Sequence, residues 1–245
     1  MKDNFSQQSA GYSQYRPRYP EELFEYIVGF VPGKKLAWDA GTGNGQTAAA
    51  LASFFENVFA TDISPQQLEK ASPGNNITYA QEPAEKTTLP DGCVNLITVS
   101  QALHWFHFEK FYREVKRVAA PGAVFAAWAY SLLQVDAAID PVIRHFHFET
   151  LQEYWDIERK YVDNGYETIP FPFENILSPG FQIKVGWSLR DLEGYINTWS
   201  AVQKIISAGG YNPVPSLIKE LGLHWKPDEI KSVCFPVHLK MGYVH

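Results

Sequence analysis

At 245 residues with 45% apolar side chains, the chain is long enough to bury a full core in one α/β domain with insertions. A net charge of −6 argues against a nucleic acid partner, which usually needs a basic surface. Two cysteines, Cys93 and Cys234, lie far apart with no CxxC pair, so neither a disulfide framework nor a metal site is indicated. The opening residues lack the apolar run of a signal peptide and no stretch approaches a membrane span, so a cytoplasmic protein without a membrane partner is the default expectation.

Tyr12-Ser-Gln-Tyr-Arg-Pro-Arg-Tyr-Pro20 combines three tyrosines with Arg16 and Arg18 in an arm that its prolines keep extended. Pro20 suits a first helical position, and Leu23, Tyr26, Ile27 and Phe30 share one face of the helix that follows. Leu36 to Trp38 read as the end of a buried strand, and Asp39 closes it. Gly41, Gly43 and Gly45 then turn the chain into the helical run Thr47 to Phe55. Glycine permits positive φ and lets a ligand lie against bare backbone, while a helix start offers unpaired N–H groups. The spacing is wrong for G-x-G-x-x-G and for a phosphate loop. Asp39-x-Gly41-Thr42-Gly43-x-Gly45 instead resembles the first motif of class I S-adenosylmethionine-dependent methyltransferases.

Asn57 to Asp62 reads as a second strand ending in an acid, 23 positions after Asp39, the interval expected for the next parallel strand. An acid there can accept bonds from both ribose hydroxyls, and Ile63 is placed to pack on an adenine face. Ser64-Pro-Gln-Gln67 has the form of a helix cap. Ile77 to Ala80 is a third strand, and the resemblance puts Ala84 and Glu85 where a methyltransferase reads the adenine edge. Val94 to Val99 is a fourth, buried strand. The family usually has an acid where this chain has Asn95. Ser100 and Gln101, at the carboxyl end of that strand, should lie near the transferable methyl group.

Ala102-Leu-His-Trp-Phe106, together with the Tyr12-x-x-Tyr-Arg-Pro arm, is similar to the group containing trans-aconitate and cantharidin methyltransferases. That likeness implies that Tyr12 and Arg16 close over the methionine end of the cofactor, with Arg16 forking its carboxylate. His104 could act as a base, with His107 a second possibility, or could merely bond backbone while Trp105 packs beneath the cofactor. An amphipathic helix spans Phe108 to Val118, Pro121-Gly122 breaks it, and Ala123 to Ala129 supplies a fifth strand.

Residues 131–180 lose all strand signal and are dense in aromatics, which predicts a helical cap over the crevice. His145, His147, Tyr154 and Trp155 are its candidate substrate contacts. Phe181 to Trp187 alternates like an edge strand, Leu189 to Val202 reads as a helix, and Val233 to Met241 could be an antiparallel last strand, with Pro236 awkward in it. The resembled fold is a Rossmann-like, doubly wound, seven-stranded, mostly parallel α/β sheet. It forms a single domain over 1–245, divided into an arm and helix (1–32), a cofactor-binding core (33–130), the cap (131–180) and completing strands and helices (181–245). The expected reaction is methyl transfer from S-adenosylmethionine to an oxygen, less readily a nitrogen, of a small-molecule acceptor. A non-catalytic cofactor-binding protein and a nicotinamide oxidoreductase are the alternatives, and the oligomeric state is not legible.

Overall fold

A computed structural model describes residues 15–245. One sheet runs in the order β3-β2-β1-β4-β5-β8, with β6 and β7 both on the outer edge of β8. The strands are β1 (Leu36–Ala40), β2 (Asn57–Asp62), β3 (Ile77–Gln81), β4 (Val94–Ser100), β5 (Ala119–Tyr130), β6 (Glu174–Ile176), β7 (Phe181–Trp187) and β8 (Lys231–Tyr243). Neighbours from β3 to β5 are parallel, and β8 lies antiparallel to β5. The sheet therefore has eight strands in seven positions, because Leu177 to Gly180 interrupts the outermost one and splits it into β6 and β7.

β5 shows why the sheet is buried on both sides. Val124, Ala126, Trp128 and Tyr130 belong to one apolar cluster, whereas Ala123, Phe125, Ala127 and Ala129 belong to the other. That alternation is the two-residue period of a strand, with apolar side chains on both faces because helices cover both. Helix α1 (Glu21–Gly29), α2 (Gln46–Leu51) and the later helices α7 (Leu189–Asn197) and α8 (Ser200–Ser207) supply the first cluster. Helix α4 (Phe108–Val118) seals the second with Phe111, Val115 and Val118.

Several boundaries differ from the sequence expectation. Helix α2 stops at Leu51 rather than reaching Phe55. The run from Leu189 breaks into α7 and α8 at Thr198-Trp199, where Trp199 takes an extended backbone (φ −67°, ψ 133°) and buries its indole against His147 and Trp155. Pro236 is accommodated because its carbonyl accepts from Ser131 N–H just past the end of β5, so its missing donor falls at the margin of the ladder. Between β1 and β5, short segments carry the crossovers: α3 (Pro65–Leu68) is capped by Ser64, whose hydroxyl accepts from Gln67 N–H.

Asn95 has a structural role in place of the acid that the family usually carries. Its Oδ1 accepts from Lys35 N–H and Leu36 N–H, each at 3.2 Å, and fastens the start of β4 to the start of β1. Asn95→Ala leaves both donors without that acceptor and is expected to lower stability by about 1–2 kcal/mol, measured as a shift in the urea midpoint. An unchanged midpoint would show that water replaces the amide at no cost.

Candidate functional site

The strand order reverses direction between β1 and β4, and in an open parallel sheet that switch point, at the carboxyl ends of the strands, is where a crevice opens. β1 and β4 are in register there, with Asp39 opposite Thr98. Asp39 is fully buried. Its carboxylate accepts from Thr42 Oγ1 in the following turn and from Thr98 Oγ1 on the neighbouring strand, the latter at 2.8 Å. Burial, against the pull of those two hydroxyls, pushes its pKa up to about 7.

The turn beyond Asp39 is left-handed at Gly41, Gly43 and Gly45, with φ of 68°, 56° and 79°. A side chain on Gly41 would strike Ala102 and Phe106, so the turn lies tight on the segment that follows β4. At Gly43 a Cβ would have Gln67 Oε1 as its nearest neighbour, at 3.9 Å. It would project into open space, and there a cleft begins. Gly43 N–H donates to Asp62 Oδ2 at 2.8 Å, and Asp62 Oδ1 accepts from Ser64 N–H at 2.9 Å. The acid at the end of β2 is thereby aimed along the rim of the cleft, with Ile63 beside it.

Ser100 and Gln101 form the opposite wall. Gln101 has a left-handed backbone (φ 53°) in a non-glycine residue, a conformation that costs energy and tends to be kept where geometry matters. Its N–H donates to the Trp128 carbonyl, and its Nε2 to the Tyr130 carbonyl at 3.3 Å. Arg16 closes the cleft from the arm, donating through Nη1 to Tyr130 Oη at 2.6 Å.

A second cavity adjoins the first. Arg16, Gln101, Trp105 and Tyr130 line both and so form a shared wall. Beyond it stand His104, Trp155, Arg159 and Trp199. His104 is buried, its Nδ1 is 2.9 Å from Tyr166 Oη, and burial with the Arg159 charge nearby pushes its pKa down to about 3. Such a ring is neutral near pH 7 and is not poised to take a proton there. Burial likewise pushes the Tyr166 hydroxyl well above its ordinary range.

The expected residues divide as follows. Arg16, Gly41, Thr42, Gly43, Asp62, Ile63, Ser100, Gln101 and Trp105 line the first cavity, and His104 and Trp155 line the second. Asp39 and Gly45 stand behind the lining, Asp39 holding the turn and Gly45 opening α2 under the Tyr79 ring. Ala84 is buried in the core away from both cavities, and Glu85 Oε1 accepts from His107 N–H. His107 is exposed and lines neither cavity, as does Tyr154 at 40% exposure. His145 pairs on the surface with Glu149. Tyr12 lies outside the described residues.

Sequence reasoning passed over Tyr130, Arg159 and Trp199. Tyr130 closes β5, and the strand-end rule that selected Ser100 would also have selected it. Arg159 and Trp155 are spaced i, i+4, yet nothing local marks that pair as facing a cavity. Among the described residues, no group of His, Cys, Asp or Glu could hold a metal ion, and no helix is long and apolar enough to cross a membrane.

Residues 38–127 match the family model described as a methyltransferase domain. The chain is 35% identical to a Dictyostelium discoideum protein provisionally named a methyltransferase, over 97% of this chain and 93% of that one. A solved structure from Anaeromyxobacter dehalogenans, provisionally named a type II methyltransferase, is 38% identical and superimposes with a TM-score of 0.87, covering 94% of this chain and 98% of the other. A Saccharomyces cerevisiae protein provisionally named the S-adenosylmethionine-dependent methyltransferase CRG1 is 27% identical over 53% of this chain and 47% of its own length.

The raised pKa of Asp39 has a defined sign. Between its ordinary 3.8 and about 7 the unfolded chain has released this proton while the folded chain keeps it, so its contribution to stability declines as pH rises through that window and levels off above it. Asp39→Asn has no such titration. Wild-type stability relative to the variant is expected to fall from about pH 4 to about pH 7, read from urea midpoints. Parallel profiles would mean that Asp39 is ionised throughout.

Proposed function

Because the chain belongs to the class I S-adenosylmethionine-dependent methyltransferases, we propose that it transfers the methyl group to an oxygen of a small-molecule acceptor bound in the second cavity. The carrying observation is the pair of adjoining cavities with a common wall at Arg16, Gln101, Trp105 and Tyr130. One compartment has the rim expected for the cofactor, and the other is roofed by residues from 155 onward, which supports a cap role for 131–180. A small compartment lined in large part by aromatic residues, on a chain of net charge −6, supports a small acceptor rather than a nucleic acid.

The residues fit the cofactor. The bare backbone at Gly43 opens onto the first cavity and leaves room for a ligand to approach, and the Asp62 carboxylate, held by Gly43 N–H and Ser64 N–H, stands at the rim where ribose hydroxyls would lie. Ile63 offers an apolar face to the adenine, and Arg16 can fork a carboxylate at the far end. Bound there, S-adenosylmethionine supplies a methyl group already activated by a positively charged sulfur. The protein's remaining tasks are to align the two partners and to keep water out. Gln101, with its amide nitrogen tied to Tyr130 and its backbone fixed, keeps the wall between the two compartments at constant shape. The indoles of Trp105 and Trp155 exclude water.

His104 enters this reading as a neutral wall. Its Nδ1 is committed to Tyr166 and its basicity is too low for proton abstraction near neutral pH. That favours an acceptor oxygen that is acidic in its own right, a carboxylate or a readily ionised hydroxyl. The pH profiles of turnover for wild type and His104→Gln are expected to run parallel between about pH 6 and 8. A wild-type inflection near 6.5 that vanishes in the variant would make His104 the base.

Calorimetric titration with S-adenosylmethionine tests the cofactor half. Asp62→Ala is expected to weaken binding by roughly 10- to 100-fold, the loss of one or two hydrogen bonds to a charged group. Unchanged affinity in the variant, or no heat from the wild type at millimolar cofactor, would remove Asp62 or the whole assignment respectively.

A further inference from the structure

Arg159 lines the second cavity but not the shared wall, so it stands back from the place where the two compartments meet. Its Nε donates to Asp163 Oδ1 at 2.9 Å, and its guanidinium carbon stands 4.7 Å from the centre of the Trp155 ring. Both supports are themselves fixed. Asp163 is 3.3 Å from His147 Nε2, and Trp155 Nε1 donates to the His147 carbonyl at 3.0 Å. The His147 ring is fully buried. The guanidinium is therefore held along its inner edge and over one aromatic face.

Its outer edge is not used. Among the described residues the two Nη nitrogens make no hydrogen bond, and the side chain keeps 26% of its exposure. Asp163 balances the charge from the inner side and leaves those outer donors available. The nearest carboxylate of the lining, Asp156, is engaged by Lys204 Nζ at 2.8 Å. Trp105, Trp155, Tyr195 and Trp199 contribute aromatic rings to the lining, beside the polar Asp156 and Ser200. A planar fork, oriented in advance and surrounded by aromatic surface, matches a carboxylate or another oxyanion bidentately. A neutral occupant would leave the fork's N–H groups facing it without a partner.

We propose that Arg159 is a specificity-determining residue of the acceptor cavity, and that the acceptor is a flat, largely apolar small molecule anchored by an anionic group on the outer nitrogens of Arg159. A different atom of the same molecule reaches the shared wall, because Arg159 is not part of that wall. The anchor and the methylated oxygen are thus separate groups joined by a flat body that the indoles hold. This rests on the methyl-transfer reading above, which makes the shared wall the place of reaction.

Benzoate and benzamide have nearly the same size and shape and differ in charge, so they isolate the anchor. Each is titrated into the full chain saturated with S-adenosylhomocysteine, with binding followed by calorimetry. Benzoate is expected to bind at least tenfold more tightly than benzamide. Arg159→Gln is expected to abolish that preference and Arg159→Lys to keep part of it, while both variants retain wild-type affinity for S-adenosylhomocysteine, since Arg159 does not line the first cavity. Equal affinity of the wild type for the two probes, no benzoate binding at millimolar concentration, or a preference that survives Arg159→Gln would each overturn the proposal. The wild-type comparison stands even if a variant fails to fold. Failure of the wild type to bind S-adenosylhomocysteine is a distinct result, which would overturn the methyl-transfer reading itself.

Discussion

The buried carboxylate of Asp39 is the constraint on which the site depends. It sits at the switch point of the sheet with one hydroxyl donor from the turn it precedes and another from the adjacent strand. A polar group without solvent must find partners or cost several kcal/mol, and here its partners are Thr42 and Thr98. Satisfying it therefore locks the turn onto β4. The left-handed glycines follow from that closure, since the chain has to reverse into α2 while Gly41 lies against Ala102 and Phe106. The same segment, Ser100 to Phe106, then supplies Gln101 and Trp105, two of the four residues shared by the two cavities. One carboxylate thus helps to set where the first cavity ends and the second begins.

Electrostatics and packing act in opposite directions on the two sides of that wall. On the cofactor side Asp62 stays half exposed at the rim, where it can accept hydrogen bonds. On the acceptor side burial suppresses ionisation: His104 is held neutral and Tyr166 keeps its proton. Of the charged groups that line it, Arg159 is held by Asp163, which His147 braces from behind, and Asp156 is paired with Lys204. On the proposed reading the second cavity accordingly positions rather than titrates, which suits a reaction whose methyl group arrives already activated.

How much was legible in the sequence follows the range of the interactions. Asp39, the glycines, Asp62, Ser100 and Gln101 could be read because a strand end, a turn and the next strand end recur at short, fixed intervals. The apolar alternation of β5 and the amphipathic spacing of α4 gave the sheet and its cover for the same reason. The seven-position topology was legible, but the interruption at Leu177 to Gly180 that divides its outer strand was not. Trp199 broke an otherwise continuous helical pattern because tertiary burial of its indole outweighed local propensity. Ala84 and Glu85 were expected from the family resemblance, and His107 and Tyr154 from their places after β4 and in the cap; a half-turn of rotation or a one-residue offset is enough to face a side chain so placed away from a cavity. Arg159 lay beyond reach because its significance comes from Asp163, Trp155 and His147 meeting in space.

The shared wall also divides the chain's freedom to change. Residues that line the first cavity alone, apart from those of the arm, come from 41–67 and from Ser100 and Ala102, and those that line the second alone come from His104 and from 155–200. Substitutions in the later stretch can reshape what is accepted without touching the residues that retain the cofactor. Drift in the earlier stretch is confined by a ligand that does not vary. Among the described residues, only Arg16, Gln101, Trp105 and Tyr130 line both cavities and so answer to both demands at once. A lineage exploring new acceptors would be expected to hold those four while its cap diverges, and to acquire new chemistry by exchanging a roof over a floor that stays the same.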